Sequence, residues 1–129
     1  MEEKSNEGTP QRTQGHLLDA PLITINIPAF IKQLKQEAAW KESDRNTITV
    51  FKTNGMRIVL IALHKGAEMA THTAAGIISV QVLEGQMKFT ADAQTVELNK
   101  GQMLTLHERI PHSVLAIEET VFLLTLSTK

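Results

Sequence analysis

A series of short apolar segments, separated by turn signals from Thr47 onward, constrains the fold of this chain most strongly. Each segment is too short for an ordinary helix and ends at a cluster of Gly, Asn, Asp or Lys, which is typical of strands joined by tight turns. We therefore predict an all-β sandwich or closed barrel over residues 45–129. The predicted strands span 48–51, 57–63, 77–83, 86–91, 94–98, 102–106, 113–117 and 121–126.

Three features of these segments indicate how they pair and pack. Asn54-Gly55 separates two β-prone runs, which is the strongest short signal of a hairpin. Met87, Phe89 and Ala91 alternate with polar residues and are predicted to share one buried face. The segment 121–126 is apolar on both faces, so we expect a second sheet, a helix or another subunit to cover it.

The part of the chain before these strands has helical periodicity. Pro28 suits the first turn of a helix, and apolar residues such as Ile31 and Leu34 recur at helical spacing after it. We predict one amphipathic helix over 28–42, packed on the outside of the sheet or at a subunit contact. A short strand is predicted at Leu22–Ile25.

No aliphatic residue lies between Met1 and Leu17, so the first residues are predicted to be disordered. The predicted organisation is a disordered tail over 1–16, a strand and helix extension over 17–44 and a barrel over 45–129.

The composition excludes several classes of function. The chain has no Cys, which excludes disulfides, thiolate metal sites and a cysteine nucleophile. Its formal net charge is −1 and it has no basic stretch, so no binding to nucleic acid is expected. No apolar run reaches the roughly 20 residues that cross a bilayer, and the first residues lack the pattern of a signal peptide. We expect a cytoplasmic protein that does not bind membranes.

Two glycine-framed motifs carry more specific information. The first runs from Gly66 to His72 and continues from Ile77 to Gly85; the second runs from Gly101 to His112. These segments resemble the two motifs of the cupin family, in order and separation, and the resemblance covers about residues 45–127. It implies a cupin-type double-stranded β-helix, or jelly-roll, barrel with one N-terminal α-helix. It also implies a homodimer, since single-domain cupins are commonly dimers.

The cupin family typically binds a divalent metal through two histidines and a glutamate of the first motif and a histidine of the second. The resemblance places these positions at His72, Ala74, Ile78 (or the neighbouring Ser79) and His112. Two of the four ligands are therefore kept. His107, five residues before His112, is the first candidate for a recruited ligand. Weaker candidates are His64, Glu68, Gln81 and Glu108.

The sequence leaves two functions open. In the first, the barrel interior binds a small molecule through a pocket at His72, Ala74, Ile78 and His112, with at most a weak or incomplete metal site. In the second, a metal-dependent enzyme of the dioxygenase or isomerase type uses His72, His112 and a recruited ligand. Its metal would be Fe, Mn, Ni or Zn, which all accept imidazole ligands. The two histidines also have a plain interpretation as core or rim residues, and no catalytic residue or substrate is predicted.

Overall fold

The structure is a computed structural model that describes residues 16–128, and it folds mainly into antiparallel β-sheets. Two short helices, α1 (Ile27–Gln36) and α2 (Ala38–Glu42), precede the strands. The strands within 16–128 are β1 (Arg45–Thr53), β2 (Met56–Leu63), β3 (Glu68–His72), β4 (Ile77–Glu84), β5 (Gln86–Ala91), β6 (Gln94–Asn99), β7 (Met103–Leu106), β8 (His112–Ala116) and β9 (Thr120–Ser127).

The strands form two facing sheets. Sheet A has the order β1-β2-β9-β4-β7, and sheet B has the order β3-β8-β5-β6. Over residues 16–128 no ladder of hydrogen bonds joins the two sheets, so side-chain packing holds them together. The predicted all-β jelly-roll fold is confirmed. The hairpin at Asn54-Gly55 is also confirmed, with Thr53 opposite Met56 and with Gly55 at φ 94°.

The inner core lies between the two sheets. Met87 and Phe89 both point into it, as their alternation in β5 predicts. Every second residue of the central strands joins them, because successive side chains of a strand point to opposite faces. The buried members are Ile61, Leu63, Ala67, Ile78, Val80, Val82, Met87, Phe89, Leu98, Val114, Ala116 and Phe122.

A second core lies between the helices and the outer face of sheet A. Leu34 and Trp40 pack there on alternate residues of β1 and β2. This explains why β9 is apolar on both faces: Phe122 belongs to the inner core, whereas Val121 belongs to the outer one. The helices of the same chain therefore provide the predicted cover. The buried members are Leu34, Trp40, Ile48, Val50, Leu60, Ala62 and Val121.

The prediction of one helix over 28–42 is wrong at Glu37, where the backbone is extended with φ −79° and ψ 153°. Asn46, which is buried in β1, explains the break. Its Nδ2 donates to the carbonyl oxygen of Leu34 at 3.0 Å and to Oε1 of Glu37 at 2.9 Å. A side chain from the sheet thus satisfies a helix-end carbonyl that a continuing helix would otherwise use.

The predicted strand at Leu22–Ile25 is also wrong, because these residues form no ladder. The N-terminal segment instead contacts the edge of β1 at single points. The Lys52 amide donates to the Leu18 carbonyl, and His16 Nε2 donates to the Thr49 carbonyl at 2.7 Å. The predicted disordered tail, apart from His16, lies outside the described residues.

Sequence periodicity did not indicate β3, because four of its five residues are exposed and show no alternation. Its pairing with β8 makes it a strand. Within 16–128, neither helix is long and apolar enough to cross a membrane.

Candidate functional site

His72 and His112, the two motif histidines at the family's metal-ligand positions, lie at one end of the sandwich, which we call the open end. The β3–β4 loop (73–76), the β7–β8 loop (107–111) and the β1–β2 and β5–β6 turns form this end. The two loops are joined directly, since the Arg109 amide donates to the Ala74 carbonyl at 2.9 Å.

His72 ends β3 and His112 begins β8, and the strand register places them directly opposite each other. Their ring centroids are 4.4 Å apart with an interplanar angle of 61°. His112 is buried and stacks on Phe89, with centroids 5.3 Å apart and planes at 11°. His72 is exposed. The pair therefore forms a wall of the open end, and Phe89 lies behind it in the inner core.

Backbone hydrogen bonds determine which nitrogens of the two rings are free. His72 Nδ1 lies 2.7 Å from the Ala70 carbonyl oxygen, and His112 Nδ1 lies 2.9 Å from the Ile110 carbonyl oxygen. A carbonyl oxygen can only accept, so each Nδ1 carries the proton and donates. In the neutral rings, each Nε2 then has an unshared electron pair available for a ligand.

The other two positions that the resemblance assigns to the site are apolar. Ile78 is 3% exposed and belongs to the inner core. Ala74 is half-buried and packs against the same core. Because Ile78 fills space between the sheets, it forms part of a floor beneath the open end. The structure thus brings all four predicted pocket positions to one end.

The residues at the open end do not fit the metal site that the family implies. His107 is exposed and makes no side-chain hydrogen bond or ion pair with a described residue. Within residues 16–128, no group of three or more His, Cys, Asp or Glu side chains could hold a metal ion. Two neutral imidazoles supply half of the usual coordination and no negative charge to balance a dication.

Of the weaker candidates for recruitment, Glu108 is exposed in the β7–β8 loop of the open end, and the other three lie elsewhere. His64 Nε2 bonds to the Trp40 carbonyl at 2.8 Å, and its ring stacks on the Trp40 indole. Gln81 is opposite Met103 and lies on the outer face of sheet A. This is expected because side chains alternate between faces along a strand and Ile78, three residues earlier, faces inward. Glu68 lies opposite Leu115, on the outer face of sheet B.

Sequence reasoning missed two cations at the open end. Lys52 and Arg57 are direct cross-strand partners, so their side chains project from the same face. Arg57 is also paired with Leu126, whose side chain packs on the inner core, so this face is the inner one. The Asn54-Gly55 turn signal could have revealed that Lys52 and Arg57 are partners, because a two-residue turn sets the register of its hairpin.

A separate cavity of about 320 Å³ lies outside the sandwich, beneath the N-terminal segment. It is distinct from the open end. Its lining residues are His16, Leu17, Leu22, Ile23, Thr24, Ile25, Phe30 and Val50.

No family model matches the chain, and no curated protein matches it. Solved structures do. A conserved protein of unknown function from Streptococcus pyogenes is 28% identical and has a TM-score of 0.64, over 68% of this chain and 78% of that chain. A cupin 2 conserved barrel domain protein from Leptotrichia buccalis is 27% identical with a TM-score of 0.62, over 67% of this chain and 42% of that chain.

A cupin-2 domain containing protein from Shewanella frigidimarina is 18% identical with a TM-score of 0.64, and it aligns with 80% of this chain and 93% of its own. This likeness shows the fold that the two chains share. The chain therefore has the fold of small cupin-domain proteins.

Proposed function

We propose that the open end binds a small organic molecule and that this protein holds at most a weak or incomplete metal site. One observation carries the proposal: the His72–His112 pair presents two Nε2 atoms beside an apolar floor, without a third metal-binding side chain in the described residues. Such an arrangement accepts hydrogen bonds from a hydroxyl or amine, while the apolar floor that includes Ile78 favours an apolar ligand body.

Metal analysis of protein purified without chelator tests this proposal. We expect metal well below one equivalent per chain, because two neutral ligands bind a dication weakly. Near-stoichiometric metal that survives dialysis would overturn the proposal.

Binding is tested separately by imidazole NMR signals during titration with small organic molecules. We expect ligands to shift the signals of His72 and His112, and we expect His72→Ala to weaken their binding. His107→Ala is the matched control, since this exposed histidine belongs to the same open end.

A metal-dependent enzyme of the dioxygenase or isomerase type is the second candidate. The specific observation in its favour is that both Nδ1 atoms donate to backbone carbonyls, which is how proteins commonly orient metal-binding imidazoles. His72 and His112 would hold the metal together with a recruited ligand, and the ion would be Fe, Mn, Ni or Zn. Metal content that is unchanged in His72→Ala and His112→Ala would exclude this candidate.

A further inference from the structure

We infer that the ligand of the open end is a small organic carboxylate, recognised by Lys52 and Arg57. The inference rests on the proposed function, since it assigns a chemical class to the molecule bound at the same end.

The strand register places both cations beside the apolar floor. Lys52 is opposite Arg57, Arg57 is opposite Leu126, and Leu126 is opposite Ile78. Direct partners in an antiparallel sheet project on the same face. The two cations and the two apolar side chains therefore form one row on the inner face of sheet A, at the end where His72 and His112 lie on sheet B.

Neither cation has a partner among residues 16–128: no hydrogen bond or ion pair of their side chains joins them to another described residue. Some cations elsewhere in residues 16–128 have acidic neighbours, whereas the side chains of others, namely Lys32, Lys41, Lys65, Lys100 and Arg109, make no hydrogen bond or ion pair with a described residue. Lys35 contacts two glutamates, Arg45 contacts Asp44, and Lys88 lies opposite Glu97 in the β5–β6 hairpin. Lys52 and Arg57 differ from these other cations in that they are direct cross-strand partners with the same sign of charge.

Like charges directly opposite each other destabilise a sheet. Local conflicts of this kind are typical of functional sites, where binding rather than folding determines the residues. An anion between the two side chains would relieve the repulsion. The exposed carboxylates of Asp92 and Glu108, in the turns of the open end, make no ion pair with either cation.

The side chains at the open end indicate which chemical groups the ligand should carry. An arginine can bind a carboxylate through two parallel hydrogen bonds, and a lysine adds a point charge. The apolar floor of Leu126 and Ile78 lies next to these cations, so the acid should carry an apolar or aromatic body. A hydroxyl or N–H group on that body would suit the free Nε2 atoms of the two histidines.

The experiment compares benzoate with its neutral analogue benzamide by NMR titration of the imidazole signals of His72 and His112. We expect benzoate to bind more tightly than benzamide. Arg57→Gln and Lys52→Gln should each weaken benzoate binding about tenfold, the size expected for losing one exposed charge-assisted contact, and should leave benzamide binding unchanged. Lys100→Gln, in the turn at the opposite end, is the matched control.

The outcomes separate this inference from the proposed function. Equal binding of benzoate and benzamide at the histidines would overturn the carboxylate assignment and leave small-molecule binding intact. If neither compound shifts the histidine signals, both proposals fail. As an independent readout, the unliganded Arg57→Gln variant should melt at a higher temperature than the wild type, because the like-charge pair is removed. A lower melting temperature would contradict the repulsion on which the inference depends.

Discussion

At the residue scale, His112 and His72 differ in their contribution to stability although both belong to the same site. His112 is 5% exposed, stacks on Phe89 and donates to the Ile110 carbonyl. His72 is exposed, so water can replace its bond to the Ala70 carbonyl. The buried histidine is therefore part of the core, whereas the exposed one is available to a ligand.

We predict that His112→Ala lowers the free energy of unfolding by about 1–3 kcal/mol, because it removes packing and leaves a carbonyl without its partner. His72→Ala should change it by less than about 0.5 kcal/mol. Urea unfolding of the two variants measures the difference, and equal losses would contradict the assignment of His112 to the core.

Gly85 joins β4 to β5 and has φ 89°, a left-handed conformation that favours glycine. A methyl group built on Gly85 would collide with the backbone carbonyl of Glu119. Gly101 has nearly the same φ, 88°, but its Cβ position is open.

The two glycines allow steric collision to be separated from backbone strain. Gly101→Ala should cost about 1–2 kcal/mol of unfolding free energy, from strain alone. Gly85→Ala should cost clearly more, because the backbone of the β8–β9 turn must move. Thermal melts of both variants check this, and similar losses would show that the turn accommodates the methyl group.

At the element scale, one lysine attaches helix α1 to the end of β4 and to the β8–β9 turn. Lys35 Nζ lies 2.8 Å from Glu84 Oε1 and 3.0 Å from Glu119 Oε2. Burial by itself lowers the pKa of Lys35, but its hydrogen bonds to Glu84 and Glu119 and their negative charges together raise that pKa above the ordinary 10.5.

The raised pKa of Lys35 predicts that the stability of the folded protein depends on pH. Because the folded-state pKa is raised, the contribution of Lys35 is fully present below about pH 10.5 and is lost as the pH rises through the folded-state pKa. Denaturant unfolding should show Lys35→Met less stable than the wild type at neutral pH, with a difference that shrinks above pH 10.5. Lys35→Arg, which stays charged, is the control. A difference that is independent of pH would show that the packing of the Lys35 stem matters instead.

In helix α1, the start could be predicted from the sequence but the end could not. Its start at Asn26 and Pro28 follows local rules, and Asn26 Oδ1 accepts from the Ala29 amide as a cap. Its end depends on Asn46, which is distant in sequence. β3 likewise forms because β8 offers it a partner. Elements whose hydrogen bonds are local were predictable, and those completed by distant residues were not.

At the scale of the whole molecule, the structure removes one reason for expecting a homodimer and supplies another. The outward apolar face of β9 is covered by helices of the same chain, so it no longer argues for a partner. The uncovered part of sheet A's outer face still presents large apolar side chains. They are Met56, Ile77 and Met103, with exposures of 40%, 45% and 54%. The homodimer stays a prediction, as does the cytoplasmic location.

Light scattering at micromolar concentration tests the oligomeric state. We expect twice the mass of one chain, and we expect Ile77→Asp or Met103→Asp to favour the monomer, because either puts a charge on the uncovered apolar face. Leu115→Asp, on the outer face of sheet B, is the control. A monomeric wild type would contradict the prediction.

The sequence by itself determined the strand series, the Asn54-Gly55 hairpin, the two motifs and the positions of His72 and His112, because turn chemistry, alternation and motif spacing are local properties. Only the tertiary structure decided which atoms meet. It placed the two rings 4.4 Å apart with free Nε2 atoms, and it set Lys52 and Arg57 on the inner face beside the floor at Ile78. These contacts arise from pairing between strands far apart in sequence, which no local pattern of residues specifies.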